Sequence, residues 1–221
     1  MDWKGVISRN CEALSRIVAM LFALAGDGAA IVERRTYFAA LHILRPAESA
    51  LRRLIIIAAL GLTLKPRSGA AYSATLLAGE RSSSCAPVFA LLDPLKSFAC
   101  RAAQTVPGHM PRISVPGLFD PVFPPVRRVA APEDLVNAEN LCRRIEALRL
   151  ALANVPMQAK RLARWRAKRD LALAGNMPRR VKRLSPFRPG HPPGHRKRHA
   201  HEVDYLLKEC HALALDAMDG L

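Results

Sequence analysis

The chain lacks the residue patterns that identify common enzymes. Its 221 residues contain no GxSxG nucleophile elbow, no P-loop and no dinucleotide-binding GxGxxG, and its glycines are scattered among turn segments. Two neighbouring acids, Glu133 and Asp134, would point to different faces of a helix, and they suit the positive end of a helix dipole better than a catalytic pair. We therefore expect a non-enzymatic protein without a cofactor.

Closely spaced cysteines are also missing. The five cysteines are odd in number, lie far apart and never form a CxxC pair, which argues against a disulfide framework. Each is expected to be a small apolar residue in or near a core, and a reducing cytoplasm suits this cysteine usage best.

The histidine-rich end of the chain lacks the spacing of a metal site. The first two histidines of this region lie in a Pro/Gly segment, where a separation of four does not put ligands on one face, and Tyr205 stands where an HExxH motif starting at His201 needs its second histidine. We expect no metal ligands among His191, His195, His199, His201, Cys210 and His211.

No apolar run is long enough to span a bilayer. The run from Leu54 to Leu64 falls well short of the roughly 20 residues that a membrane-spanning helix needs. The run from Ile17 to Ala25 follows a long segment that contains Asp2 and Glu12, whereas a signal peptide has a short basic start. We expect a cytoplasmic protein without a transmembrane span.

The residues that are present predict a mostly α fold. We expect a small helical bundle or a set of helical hairpins, with a long irregular Pro/Ser/Gly-rich middle segment and a basic Pro-rich tract before the C-terminal helix. The corresponding regions are an N-terminal helical region at 1–64, an irregular connector at 65–131, a helical hairpin at 132–177, a basic Pro/His-rich tract at 178–200 and a C-terminal helix at 201–221.

In the N-terminal region, apolar periodicity predicts a helix over 3–25, which Gly26-Asp27-Gly28 ends. A second helix is expected over 33–44. Pro46 suits the first turn of a third helix that runs to about Gly61, because its missing N–H is not needed there. Residues 54–60 are apolar on every side, which indicates either complete burial or a strand.

Further along the chain, a helix is predicted over 132–155, since its apolar residues form one stripe at Ala138, Leu141, Ile145, Leu148, Leu152 and Val155. Pro156 ends this helix and begins the next, which runs to about Ala174. The tract at 178–200 is not expected to pack.

Two islands in the connector each place an aspartate before a proline, at Asp93-Pro94 and Asp120-Pro121, and this order favours a turn or the cap of a short helix. Apolar residues of the two islands are expected to dock onto a core, at Leu95, Phe98, Phe119 and Phe123. The alternative interpretation is that the islands are short partner-binding segments.

Positive charge is concentrated near the C-terminal end. Of the net charge of +16, residues 160–198 contribute fourteen Lys and Arg against one acid, Asp170. Such a tract favours a polyanionic partner, with affinity that depends on salt rather than on sequence. The predicted polyanion-binding residues are Lys160, Arg161, Arg164, Trp165, Lys168, Arg179, Arg180, Lys182, Arg183, Arg196, Lys197 and Arg198.

For the helix in this tract a second interpretation stays open, in which Leu162 and Trp165 are core residues and the cations only solvate the outer face. The resulting hypothesis is a non-enzymatic binder of nucleic acid or another polyanion; no zinc finger or RNP motif is present to indicate specific recognition. The alternatives are a protein that binds an anionic membrane surface, and a scaffold or interaction protein that needs a protein partner to order residues 65–131.

Four stretches carry a resemblance to known sequences: 7–14 (ISRNCEAL), 44–50 (LRPAESA), 141–144 (LCRR) and 188–198 (RPGHPPGHRKR). Together they resemble a family of short uncharacterised bacterial proteins of alphaproteobacterial type. The resemblance covers most of the chain and implies a bacterial cytoplasmic setting, and it brings no activity or site residue.

Overall fold

The computed structural model describes residues 2–26, 30–64, 87–95, 131–175 and 183–219. In these ranges it contains five helices and one two-stranded sheet, which confirms the mostly α fold. The helices are α1 (Trp3–Ala25), α2 (Arg34–Leu60), α3 (Glu139–Ala153), α4 (Val155–Leu173) and α5 (Glu202–Asp219), and the strands are β1 (Ile31–Glu33) and β2 (Leu135–Asn137).

Helix α1 begins and ends where its sequence predicts. The Asp2 carboxylate accepts a hydrogen bond from Gly5 N–H at 3.1 Å and so satisfies a free N–H of the first turn. Gly26 follows the last turn with a φ of +65°, a backbone conformation that favours glycine. The apolar stripe of α1 is buried, with Leu14 and Leu21 fully inaccessible to solvent.

Helix α2 is one continuous helix, so the prediction of two helices separated before Pro46 is wrong. Pro46 lies inside α2, where it removes a backbone hydrogen bond at a cost of about 3 kcal/mol. The helix continues because it packs against α1, α3, α4 and α5 and buries side chains on both sides of Pro46. This tertiary burial outweighs the local preference of proline for a helix start.

The apolar run of α2 is helical and buried. Leu54 and Ile55 are inaccessible to solvent, and Ile56 and Ile57 are at most 5% exposed. Of the two interpretations left open for this run, complete burial is therefore the one that holds. The run forms the centre of one hydrophobic core to which all five described helices contribute.

The prediction that a helix starts at Pro132 is wrong by seven residues. Residues Leu135–Asn137 instead form β2, which pairs antiparallel with β1 in a register that places Val136 opposite Val32. Asp134 accepts a hydrogen bond from Ala131 N–H through its carboxylate, at 2.8 Å, so it stabilises a turn rather than a helix start. The helix begins at Glu139, whose N–H donates to Asn137 Oδ1.

The apolar stripe predicted for α3 is confirmed along most of its length. Leu141, Ile145 and Leu148 are at most 1% exposed, and Leu152 is half-buried. Val155 already belongs to α4, which begins there with Pro156 in its first turn. Helix α5 buries its own stripe of Val203, Leu207, Cys210 and Ala214 against α2.

Candidate functional site

Three cations form an exposed basic face on α4. Lys160, Arg164 and Lys168 recur every fourth residue and are all exposed, so they lie about 6 Å apart along the helix axis. None of the three forms an ion pair or hydrogen bond with another residue of the described ranges. These side chains are therefore available to an anion from solvent.

The opposite side of α4 holds this face in place. Leu162 is 1% exposed and Ala159 and Ala163 are buried, so the helix packs into the core as the second interpretation of this segment expected. Packing and a free basic face thus occur together. The two interpretations of α4, a helix that packs into the core and a helix that offers cations to a polyanion, are therefore compatible.

Two predicted members of the basic face are already engaged by the protein. Arg161 is half-buried and donates to Gln158 Oε1. Trp165 is half-buried and packs against the core, and the guanidinium of Arg169 lies 5.5 Å from its ring centroid. One face of the indole is therefore covered by a cation rather than open to a stacking base.

Two arginines of α4 outside the predicted set point to the protein itself. Arg166 donates to Ala59 O at the C-terminal end of α2, at 3.4 Å, where the helix dipole favours a cation. Arg169 donates to Leu184 O at 2.6 Å and pairs with Asp170. The basic charge of α4 is thus divided between an outer face and contacts that attach neighbouring segments.

The described part of the basic tract is packed, which corrects the prediction that it would not pack. Pro186 and Pro192 are buried, and Pro193 O accepts a hydrogen bond from Ser49 Oγ of α2 at 2.6 Å. Gly194 lies so close to α2 that a Cβ there would be 2.6 Å from Pro46 N. The segment has no helix or strand, but its backbone lies directly on α2.

Arg183, one of the predicted polyanion-binding residues, is engaged by the protein itself. Its guanidinium donates to three carbonyl oxygens, those of Asp93, Ser185 and Pro186. Partial burial lowers the pKa of Arg183 below its ordinary value, and Asp93 partly offsets this shift. Each of its three nitrogens donates to a carbonyl oxygen, so this side chain attaches residues 93 and 183–186 to one another.

The remaining basic residues of the tract divide into two groups. Arg196 is half-buried, Lys197 and Arg198 are exposed, and none of them has a partner among the residues that the structure describes. Arg179, Arg180 and Lys182 lie outside the described residues, as do Phe98, Phe119 and Phe123 of the predicted docking islands. Leu95 is described, and it is exposed rather than docked.

A buried ion pair, which the sequence patterns did not predict, holds the tract and residues 87–95 on α2. Arg53 and Asp93 are each 1% exposed, and two parallel hydrogen bonds of 2.7 and 2.6 Å join the guanidinium to the carboxylate. Asp93 also donates its N–H to Pro186 O at 3.1 Å. The ring of Phe187 covers the Arg53 guanidinium at 5.0 Å. Three separate parts of the chain therefore meet at Asp93.

A second cluster of ion pairs on α2 is centred on Glu48. Glu48 accepts from Arg52 Nη2 at 3.3 Å and from Arg144 of α3 through two bonds of 2.9 and 3.0 Å. Arg52 also donates to Ala90 O and packs over the Phe89 ring. Burial lowers the pKa of Arg52, and the nearby Glu48 and Asp93 carboxylates oppose that shift.

The Arg53–Asp93 pair is inaccessible to solvent, whereas Arg144 of the Glu48 cluster is 41% exposed. Both sets of ion pairs attach separate parts of the chain to α2. A signal for them existed in the sequence, because Arg52 and Arg53 interrupt an apolar helix and Asp93 is the acid of the first Asp-Pro island. Buried arginines require partners. The sequence could not show which acid would supply them.

The cysteine and histidine side chains indicate no reactive centre in the described part of the chain. Burial raises the pKa of Cys210 to about 12, and burial and Glu12 raise the pKa of Cys11, so both thiols are held protonated. Within the same ranges, no three His, Cys, Asp or Glu residues are placed to hold a metal ion.

Comparison of the chain with protein-family models, with curated proteins and with solved structures finds no match in any of the three. The resemblance to a bacterial family therefore stays a prediction. Among the described helices, none combines the length and the apolar character that crossing a bilayer requires.

Proposed function

We propose that the protein binds nucleic acid without catalysing a reaction on it. The observation that supports this most is the exposed face of α4, where Lys160, Arg164 and Lys168 recur every fourth residue on a helix whose other side is buried. Within the described ranges none of these three cations has a partner. A fixed row of cations meets successive phosphates without losing much side-chain freedom, because the helix is already ordered.

The cations Arg196, Lys197 and Arg198 form the second part of the proposed surface. They follow a segment that lies on α2 and precede α5, so both of their flanks are attached to the core. With the three cations of α4, six charges are available. Neutralising six phosphates predicts a slope of log affinity against log salt of about −5 for duplex DNA and about −4 for single strands.

An anionic membrane surface is the competing partner, and the structure removes one reason for it. An apolar surface that inserts into lipid would strengthen that alternative, but the apolar run at Ile55–Ile57 lies in the core. The apolar stripe of α1 is also buried against the other helices. The basic charge is then the remaining feature that favours a membrane surface, and the phosphates of nucleic acid can neutralise that charge as well as lipid headgroups can.

The test is binding of the full chain to fluorescently labelled single-stranded RNA, single-stranded DNA and duplex DNA, from about 50 to 200 mM salt. We expect affinity to fall steeply with salt for at least one of them. Flotation with anionic vesicles at the same salt forms the second arm. Absence of binding at low salt, or affinity that ignores salt, would refute the proposal, and binding to the vesicles alone would favour the membrane surface.

Two matched variants locate the surface. The variant K160Q/R164Q/K168Q removes the free face of α4, and K4Q/R35Q/K208Q removes three exposed cations from α1, α2 and α5. Both variants lose the same net charge. We expect the α4 variant to weaken binding at low salt by tenfold or more, and the control by much less. Equal losses would mean that only total charge matters.

A further inference from the structure

The tract contains a repeated Pro-Gly-His unit that places two histidine rings in contact. His191 and His195 stack with their centroids 4.2 Å apart and their planes at 8°. Each histidine follows a glycine with positive φ, Gly190 at +77° and Gly194 at +84°. At the second repeat, His195 N–H donates to Pro192 O at 3.1 Å and closes a turn, and at the first repeat the chain bends. The two glycines thus reverse the chain locally and bring the rings together.

The stacked pair is exposed but fixed. Both histidines are exposed, while the backbone between them is anchored through Pro193 O to Ser49 and through Gly194 against Pro46. The Arg188 side chain donates through Nε to His191 O at 2.7 Å and spans the first bend. An anion approaching from solvent therefore meets two imidazoles whose positions are set in advance.

The groups around the pair are mostly basic or neutral. His191 and His199 of the tract lower the pKa of His195, whereas Asp204 of α5 raises it. His195 in turn lowers the pKa of His211 of α5. On α2, Arg45 is next to Pro46, against which the tract packs, and Arg196 follows His195 directly. Asp204 is 4% exposed and accepts hydrogen bonds from Ala200 and His201 N–H.

We propose that the stacked His191–His195 pair is a phosphate-binding site and that it takes up a proton when a nucleic acid phosphate binds. The proposal rests on the proposed function and adds a site and its regulation to it. A neutral imidazole donates one N–H, and an imidazolium donates two and adds a charge. A phosphate beside two stacked rings supplies the negative charge that makes protonation favourable.

In the free protein the pKa of His195 is lowered, so a bound phosphate can raise it. The pKa of His195 lies below its ordinary value because of partial desolvation and, next, because of His191 and His199. Coupling between two ligands is reciprocal, so a phosphate that raises the affinity for a proton is itself bound more tightly when the proton is present. Affinity must then rise as pH falls through the range in which histidine titrates.

The first measurement needs no variant. Titration calorimetry of the full chain with single-stranded RNA, at about pH 6.5 in buffers of different ionisation enthalpy, counts the protons exchanged on binding. We expect net uptake. Binding with no proton exchange, or with release, overturns the proposal and leaves the proposed function intact. No binding of any nucleic acid at low salt overturns both.

The second measurement assigns the proton to the pair. H191Q/H195Q removes both rings, and H42Q removes an exposed histidine of α2 that makes no ring contact with another described residue. At about pH 8, wild type and H191Q/H195Q should bind RNA with similar affinity. At about pH 6, wild type should bind several-fold more tightly than the double variant, by up to tenfold for each unit by which RNA raises a histidine pKa. H42Q should follow wild type. A double variant with the same pH dependence as wild type refutes the pair as the site.

Discussion

Replacement of Gly194 by alanine should destabilise the protein more than replacement of Gly190, although the two glycines have nearly the same backbone conformation. Their φ values are +84° and +77°, and an alanine in this left-handed conformation destabilises the folded state by about 1–2 kcal/mol. Alanine also restricts the unfolded chain, which offsets about 0.4–1 kcal/mol of that loss at either position. Only their surroundings differ.

The surroundings set the size of the difference. A Cβ at Gly194 would be 2.6 Å from Pro46 N, 2.8 Å from Pro46 Cδ and 2.9 Å from Arg45 C, whereas a Cβ at Gly190 meets nothing within 4 Å. Those neighbours are backbone atoms and a proline ring, which cannot rotate away. Overpacking of this kind costs about 1–3 kcal/mol, so G194A should lose about 2–4 kcal/mol and G190A about 1 kcal/mol or less.

Urea unfolding followed by far-ultraviolet circular dichroism measures both losses. Equal free energies of unfolding for G194A and G190A would show that the tract does not lie on α2 as described, and would remove the anchor from the proposed histidine site. A gap of about 1–3 kcal/mol between the two variants supports the contact.

The remaining predictions concern the buried attachments and the effect of pH. D93N leaves Arg53 buried without its carboxylate and should lower the free energy of unfolding by about 3–5 kcal/mol. R53M/D93L, which removes both charges, should lower it much less. Equal losses in urea unfolding would contradict the buried ion pair. D204A removes the acceptor for Ala200 and His201 N–H at the start of α5 and should lower the free energy of unfolding by about 1–2 kcal/mol, with D204N retaining part of it. His211 has a lowered pKa, chiefly from burial and then from Arg53. Well above pH 6.5 the imidazole is neutral in both the folded and the unfolded protein. As the pH falls below 6.5, the unfolded chain binds the proton before the folded protein does, so the free energy of unfolding should decrease from pH 7 towards pH 5, and decrease less in H211N. Identical pH profiles for wild type and H211N would contradict this.

The helices could be predicted from the sequence because their signals are local. The apolar stripes of α1, α3 and α5 follow helical spacing, and glycine or proline marks several of their ends. Two local signals were overridden by tertiary contacts. Pro46 does not end α2 because the helix is buried on both sides of it, and Pro132 does not begin a helix because residues 135–137 pair with β1.

The attachments of the tract could not be predicted, because they join residues far apart in sequence. Arg53 and Asp93 are 40 positions apart, and Ser49 and Pro193 are 144 apart. Composition correctly indicated a segment without helix or strand, but the expectation that it would not pack was wrong, because its contacts are with distant residues. The same contacts separate the basic residues into those that the fold engages, such as Arg183, and those without a partner among the described residues, such as Lys197.

The most direct test of nucleic acid binding by α4 is the slope of log affinity against log salt for wild type, K160Q/R164Q/K168Q and K4Q/R35Q/K208Q on the same duplex DNA. If Lys160, Arg164 and Lys168 each neutralise a phosphate, the first variant has a slope smaller in magnitude by about 3 than wild type, and the control keeps the wild-type slope. Three equal slopes, or a control that loses as much as the α4 variant, would contradict binding by this face.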